Sequence, residues 1–253
     1  MTSQRIEFLG APLDLVSMAE TVARADAAMT SGHRLQQVVV NVAKLIHMRT
    51  DEELRQDVMD SDVINIDGMG VLWGVRLLGY RVPERVTGID LMLTLIAHCE
   101  RAGFRPYFLG ARQSVLEDAI ARLTVDFPSL VIAGYRNGYF TEDEEQAVVN
   151  EIHASEAHCL FVAMSSPMKE RFLRHYRDQL GVPFLMGVGG SLDVVAGTVK
   201  RAPCWVRQAG FEWLFRLVQE PRRMWRRYLM TNTIYFFLLL GEMARVWLTA
   251  KKT

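Results

Sequence analysis

The residues best placed to do chemistry stand in Ser61–Gly70, SDVINIDGMG. Val63–Ile66 is a mostly β-branched apolar run stopped by Asp67-Gly68, the pattern of a buried strand that ends in a tight turn. Ligands of open parallel sheets bind outside the carboxyl ends of the strands, so Asp67 stands where a catalytic acid or base is commonly placed. Gly68 and Gly70 clear side chains from around it and let a ligand or backbone approach closely. The alternative role for Asp67 is a turn residue or the cap of the next helix. Asn41 ends a second strand, Leu35–Val40, and has the same two roles open to it.

Further along, the loop Arg81–Asp90 (RVPERVTGID) carries Arg81 and Arg85. Guanidinium forks match phosphate oxygens, although the loop also reads as an ordinary solvated basic segment. Gly110 separates strand Pro106–Leu109 from helix Val115–Phe127, and N–H groups at a helix start can hold phosphate. The lysine of a P-loop and a full GxGxxG are both missing there. Ser165 and Ser166 follow strand Cys159–Met164, where hydroxyls suit a phosphate or a sugar, or a helix cap in the case of Ser166. Gly187, Gly189 and Gly190 follow a last strand, Pro183–Met186.

The elements that must position these residues alternate. Strands are expected at Arg5–Leu9, Leu35–Val40, Val63–Ile66, Pro106–Leu109, Leu130–Ala133, Cys159–Met164 and Pro183–Met186. Helices are expected at Pro12–Met29, Ala43–Met48, Asp51–Met59, Val71–Leu78, Leu91–Arg101, Val115–Phe127 and Thr141–His153. About six strand–helix repeats indicate an α/β fold, a doubly wound and largely parallel sheet with helices on both faces.

Composition narrows the function classes. Lys+Arg and Asp+Glu are 29 each, and a balanced charge weighs against a general nucleic-acid binder. The three cysteines, Cys99, Cys159 and Cys204, are far apart in sequence and form no CxxC, which suits neither a disulfide framework nor a zinc site and fits a reducing compartment. The six histidines show no metal spacing, so no metal is expected. The amino terminus lacks an apolar core of a secretory signal, and no run of about twenty apolar residues predicts a membrane span.

From Lys200 the character changes, so residues 1–199 read as the catalytic unit and 200–253 as an Arg/Trp-rich helical appendage. Arg216, Glu220, Arg223 and Arg227 lie at spacings that share a helix face, and Pro221 is expected to start a new helix. Uncharged Ile234–Leu240 follows this basic, aromatic segment. Such a composition suits a helix lying in a membrane interface, or one packed on the domain or on a second subunit.

Taken together, Asn41, Asp67-Gly-Met-Gly70, Arg85-Val-Thr-Gly88, Phe108-Leu-Gly110, Gly138-Tyr-Phe140, Ser166-Pro167 with Glu170, Gly187-Val-Gly-Gly190, Lys200-Arg-Ala-Pro203, Glu212-Trp-Leu-Phe-Arg216 and Glu220-Pro-Arg-Arg223 resemble the WecG/TagA/CpsF glycosyltransferase family. The resemblance runs from about Val38 to about Leu229, and its C-terminal block is the specific part. It implies a Rossmann-like core and a metal-independent, inverting transfer without a cofactor, from a UDP-sugar to a lipid-diphosphate-linked acceptor. It further implies peripheral attachment through the appendage to the cytoplasmic face of the plasma membrane, and a role in cell-envelope polysaccharide synthesis. Homo-oligomerisation is left open.

Residue by residue, the resemblance makes Asp67 the base and sets Asn41 beside the sugar. It brings Arg216, Arg223 and Arg226 over the pocket. Arg85, Gly110, Tyr139, Ser165, Ser166, Lys169 and Gly189 are the remaining candidates for substrate contact. Two departures fall near the pocket. Val39 replaces a frequent Thr, and Ser165-Ser-Pro-Met-Lys-Glu170 replaces Gly-Ala-Pro-Lys-Gln-Glu, which puts Lys169 where glutamine is expected. N-acetylmannosamine is the usual sugar of the family, and these changes widen the donor to glucose or a uronic acid, whose carboxylate an ammonium meets. A nicotinamide-dependent dehydrogenase is disfavoured by the missing GxGxxG and ribose-binding acid. A non-catalytic membrane scaffold leaves the Asp67 turn without a role.

Overall fold

The computed structural model describes residues 4–250. In chain order the elements are β1 (Arg5–Phe8), β2 (Ala11–Asp14), α1 (Met18–Ser31), β3 (Leu35–Val40), α2 (Val42–His47), α3 (Glu52–Met59), β4 (Val63–Ile66), α4 (Met69–Leu77) and α5 (Gly88–Ala102). There follow β5 (Pro106–Gly110), α6 (Gln113–Asp126), β6 (Gly134–Arg136), α7 (Glu142–Ala154), β7 (Cys159–Ala163), α8 (Met168–Tyr176), β8 (Phe184–Gly187) and α9 (Ser191–Val195). The chain closes with α10 (Cys204–Gln208), α11 (Glu212–Gln219) and α12 (Pro221–Ala250).

Six strands form one parallel sheet in the order β4-β3-β8-β7-β5-β6. The expected α/β architecture is therefore present. Strands buried on both faces need apolar residues at nearly every position, as CLFVA in β7 and VVV in β3 supply. One face packs Phe108, Phe161, Phe184 and Met186 under α1, α5, α6 and α9. The other packs Tyr107, Leu109, Leu160 and Leu185 under α7 and α8, and continues as Val38, Val40, Ile64 and Ile66 under α2, α3 and α4. Phe108 and Phe161 stack with ring centroids 5.5 Å apart, and burying each such side chain contributes roughly 1.5–3 kcal/mol. Asn65 breaks the apolar run of β4. It accepts from Gln37 at 2.7 Å and donates to Thr21 at 3.0 Å, so a buried polar link ties β3 and β4 to α1.

Three sequence expectations change. The stretch from Pro12 does not start a helix: Ala11–Asp14 is β2, paired antiparallel with β1 through a two-residue turn. Leu9 and Gly10 both have positive φ, the geometry whose twist suits a tight hairpin. Buried Asp14 then accepts from Arg5 at 2.9 and 2.8 Å and from the Ile64 N–H at 2.8 Å, which seats the hairpin on β4. The helix begins only at Met18, where Ser17 and Glu20 form a capping box.

The strand expected at Leu130–Ala133 lies a few residues later, at Gly134–Arg136. Gly134 is what lets the edge strand close on Tyr107, whose ring would stand 2.6 Å from a Cβ there. Finally, Arg216, Glu220, Arg223 and Arg227 do not share one helix. Glu220 leaves helical backbone, and Pro221 starts α12 as its spacing predicts.

Candidate active site

Two crevices line the carboxyl edge of the sheet. In the first, β3 and β4 pair with Val40 opposite Ile66, so the next residues, Asn41 and Asp67, leave adjacent strands together. The Asp67 N–H bonds the Val40 carbonyl at 3.0 Å, which sets its backbone. Gly68 is the helix cap and has no side chain to offer; a Cβ on it would stand 3.2 Å from that of Asn41. The structural role proposed for Asp67 is therefore not taken up. Its carboxylate caps nothing and has no hydrogen bond among the described residues. Asn41 does cap: its Oδ1 accepts from the Lys44 N–H at 3.0 Å, and its amide nitrogen has no partner among the described residues.

The charges around Asp67 come from α2, α11 and the loop after α4. Burial holds its carboxyl above the ordinary carboxylate range, and Glu212 pushes the same way, while Arg85, Arg216 and Lys44 pull it back. Arg85 reaches Glu212 at 3.4 Å, which ties the loop after α4 to α11. Tyr228 of α12 packs edge-on against Trp213 at 5.9 Å, and burial raises its phenol with Asp67, Glu212, Arg216 and Arg227 in electrostatic reach. The structure thus brings together Asn41, Asp67, Arg85 and Arg216. It adds Lys44, Glu212 and Tyr228, which sequence reasoning missed as site residues. A lysine inside the apolar run VAKLI was the available signal for Lys44.

The second crevice lies between β5 and β7, where the chain moves on towards opposite edges of the sheet, the usual ligand position in such folds. Gly110 has φ +123, and a Cβ on it would come 2.4 Å from the Ala163 carbonyl oxygen. Gly138 closes on Gly110 from the other side. Gly189, with φ +55, faces open space. Tyr139 is exposed beside Arg112, and Asn137 caps the Tyr139 N–H at 3.0 Å. Ser165 and Ser166 lie exposed after β7, and neither caps α8, which starts behind Pro167.

Lys169 is buried between the crevices, with its Nζ 2.7 Å from Glu170. Arg226 stands over the Trp225 ring at 5.3 Å, and the charge of Arg227, also on α12, reaches Lys169. The side chain of Arg223 lies outside the described residues. Among the described residues no three His, Cys, Asp or Glu converge as metal ligands.

A small helical layer roofs the first crevice, because α4 gives it a smooth seat. Gly210 closes on Trp73, and Gly70 and Gly74 leave room for Tyr235 of α12. The profile described as the glycosyl transferase WecG/TagA/CpsF family matches residues 6–248. The chain belongs to that family.

Two relatives of this WecG/TagA/CpsF protein carry the name N-acetylglucosaminyldiphosphoundecaprenol N-acetyl-beta-D-mannosaminyltransferase. The one from Bacillus spizizenii is 38% identical over 169 residues, and the one from Bacillus subtilis is 33% identical over 169 residues. Each match covers 67% of this chain and 65% of the relative, just under two thirds of its length. A solved substrate-binding periplasmic protein from Ralstonia solanacearum aligns over 72% of this chain and 53% of its own, at 17% identity. Its TM-score of 0.31 is below that of a shared fold.

Proposed function

We propose that this protein is an inverting glycosyltransferase that moves a sugar from a UDP-sugar to a lipid-diphosphate-linked acceptor in cell-envelope polysaccharide synthesis. The observation that carries the reading is Asp67: a carboxylate at a strand end, held above its ordinary range, free of structural hydrogen bonds and ringed by Arg85 and Arg216. The names of the two relatives support the acceptor class and make N-acetylmannosamine the first donor to try, with its uronic acid and glucose next.

In this reading Asp67 takes the proton of the acceptor hydroxyl as that oxygen bonds to the anomeric carbon. The bond from that carbon to UDP breaks on the opposite face, and the electron pair leaves with the diphosphate. Arg85 and Arg216 offset the charge that develops there. Gly189, which has open space where a Cβ would stand, lets the nucleotide approach the backbone closely, while α11 and α12 exclude water from a donor that water would otherwise hydrolyse. Residues 1–199 carry the base and the nucleotide crevice, and 200–253 complete the site.

The same appendage attaches the protein peripherally to the cytoplasmic face of the membrane. No helix among the described residues is long and apolar enough to cross a bilayer. Supporting attachment, Trp213, Trp225, Leu229, Phe236 and Phe237 are exposed on α11 and α12 among the exposed arginines 222, 226 and 227.

The test is UDP release from a panel of UDP-sugars with N-acetylglucosaminyl-diphosphoundecaprenol in detergent. Turnover of one donor that requires the acceptor and is lost in Asp67→Asn supports the reading. Failure of every donor in the presence of acceptor overturns it.

A further inference from the structure

Helix α4 turns three sides to three surroundings. Val71, Leu72 and Val75 are buried in the core. Gly70 and Gly74 face Tyr235 of α12. Met69, Trp73 and Leu77 recur at i, i+4 and i+8, so they share the remaining face. Trp73 and Leu77 are 45% and 60% exposed there.

This apolar row joins the site at its inner end. Met69 is the second residue after Asp67. Over it lies the turn between α10 and α11, where a Cβ on Gly210 would stand 2.9 Å from the Trp73 ring and 3.2 Å from the Met69 Cβ. Two residues on, Glu212 meets Arg85 at 3.4 Å and acts on the Asp67 carboxyl. Phe211, between Gly210 and Glu212, is 47% exposed. A seam thus runs from Asp67, under Gly210, to a mouth with Trp73, Leu77 and Phe211 on it. Single exposed apolar side chains need no explanation, but a row that leads out from a reactive carboxylate marks a path for an apolar group.

A nucleotide sugar is polar throughout, so of the two substrates the acceptor alone has a long apolar part. With its hydroxyl at Asp67, its sugar and diphosphate span the inner turns of α4, and Leu77 lies about 12 Å along the helix from Met69. We propose that Trp73, Leu77 and Phe211 bind the polyprenyl tail of the acceptor where it leaves the diphosphate, and so select a lipid-linked acceptor over a soluble one. The inference rests on the acceptor reading above.

The test compares kcat/KM in detergent for N-acetylglucosaminyl-diphosphoundecaprenol and for the same headgroup on a geranyl tail, in the whole chain and in Trp73→Gln and Leu77→Gln. Leu77 is the more exposed of the two, so its variant keeps the fold should Trp73→Gln lose its seat on Gly210. Partition of the tails into micelles is common to all variants and cancels in the comparison. The long-to-short ratio should fall about tenfold, the worth of one buried apolar side chain. Binding to acceptor-free phosphatidylglycerol vesicles should stay within about twofold of wild type. A ratio within about twofold of wild type in a folded variant overturns the proposal. An equal loss of vesicle binding assigns the row to the bilayer and overturns it too. A wild type that turns over neither acceptor overturns the proposed reaction and this inference with it, a result distinct because it appears without any substitution.

Discussion

The Tyr235 hydroxyl donates to the Gly70 carbonyl at 2.7 Å, and it occupies the space where a Cβ on Gly74 would come within 2.1 Å of it. One contact thus seats α12 on the helix that begins two residues after Asp67. Gly74→Ala also meets Phe8 Cζ at 2.7 Å, and both rings are buried. We expect Gly74→Ala to lower stability by about 1–3 kcal/mol through overpacking and to cut transferase activity as α12 lifts. Tyr235→Phe, which loses the hydrogen bond alone, should cost about 1 kcal/mol. Thermal melts and UDP release on both variants check the ordering.

Asp67→Asn should reduce kcat by about a hundredfold to ten-thousandfold, the range of a positioned general base, with little change in melting temperature. Its carboxyl is raised by burial, so the acid side of the kcat/KM profile should fall off at a pH above that of an ordinary aspartate. Activity is lost as pH drops through that point, because the protonated acid accepts nothing. A profile flat across the acid range in the wild type would remove Asp67 as the base.

Glu170→Gln should destabilise the fold by about 3–5 kcal/mol, because it leaves Lys44 and Lys169 facing each other without a counter-charge. The pH dependence has two windows. Glu170 is lowered to about 2 from 4.5, although its burial alone would raise it, because Lys44 and Lys169 hold the ionised form. Its stabilising contribution is full above pH 4.5 and is lost as pH falls towards 2. Lys169 is lowered to about 8 from 10.5, chiefly by burial. Between those values the unfolded chain binds the extra proton, so this group alone makes stability rise with pH from 8 to 10.5. Urea titrations across both ranges, with Glu170→Gln as control, test the assignment.

Asp57 sits between α3 and α8 with Oδ2 buried and unpaired and Oδ1 3.4 Å from Arg174. Burial raises its carboxyl to about 6 from 3.8. Here the folded state binds the extra proton, so its penalty grows as pH rises from 3.8 to 6 and stays constant above. Asp57→Asn should therefore raise the melting temperature by about 2–4 °C at pH 7.5, an increment of about 1 kcal/mol, and leave it nearly unchanged at pH 4. Equal melting temperatures at pH 7.5 would show that Arg174 already offsets the burial.

The sequence by itself determined the strand ends and hence the chemistry-bearing positions. An apolar strand buried on both faces is a short-range signal: Asn41 and Asp67 are legible because each directly follows one, Gly110 because it ends one, and Gly189 because it lies two residues past one. The C-terminal block was legible for a different reason, its unusual density of arginine and tryptophan. Tertiary structure alone decided what those positions meet. Cys99 and Cys159, 60 residues apart in sequence, have sulfurs 3.6 Å apart in the core, and nothing in their spacing announces it. Lys44, Glu170 and Lys169 converge because α2 and α8 follow neighbouring parts of the sheet, and strand order is set by non-local burial that no local pattern encodes. The hairpin β1–β2 was misread for the same reason. Leu15 continues the helical stripe of Met18, Ala19, Val22 and Ala25 and drew the helix back to Pro12, whereas the long-range bonds of Asp14 to Arg5 and Ile64 hold Ala11–Asp14 as a strand.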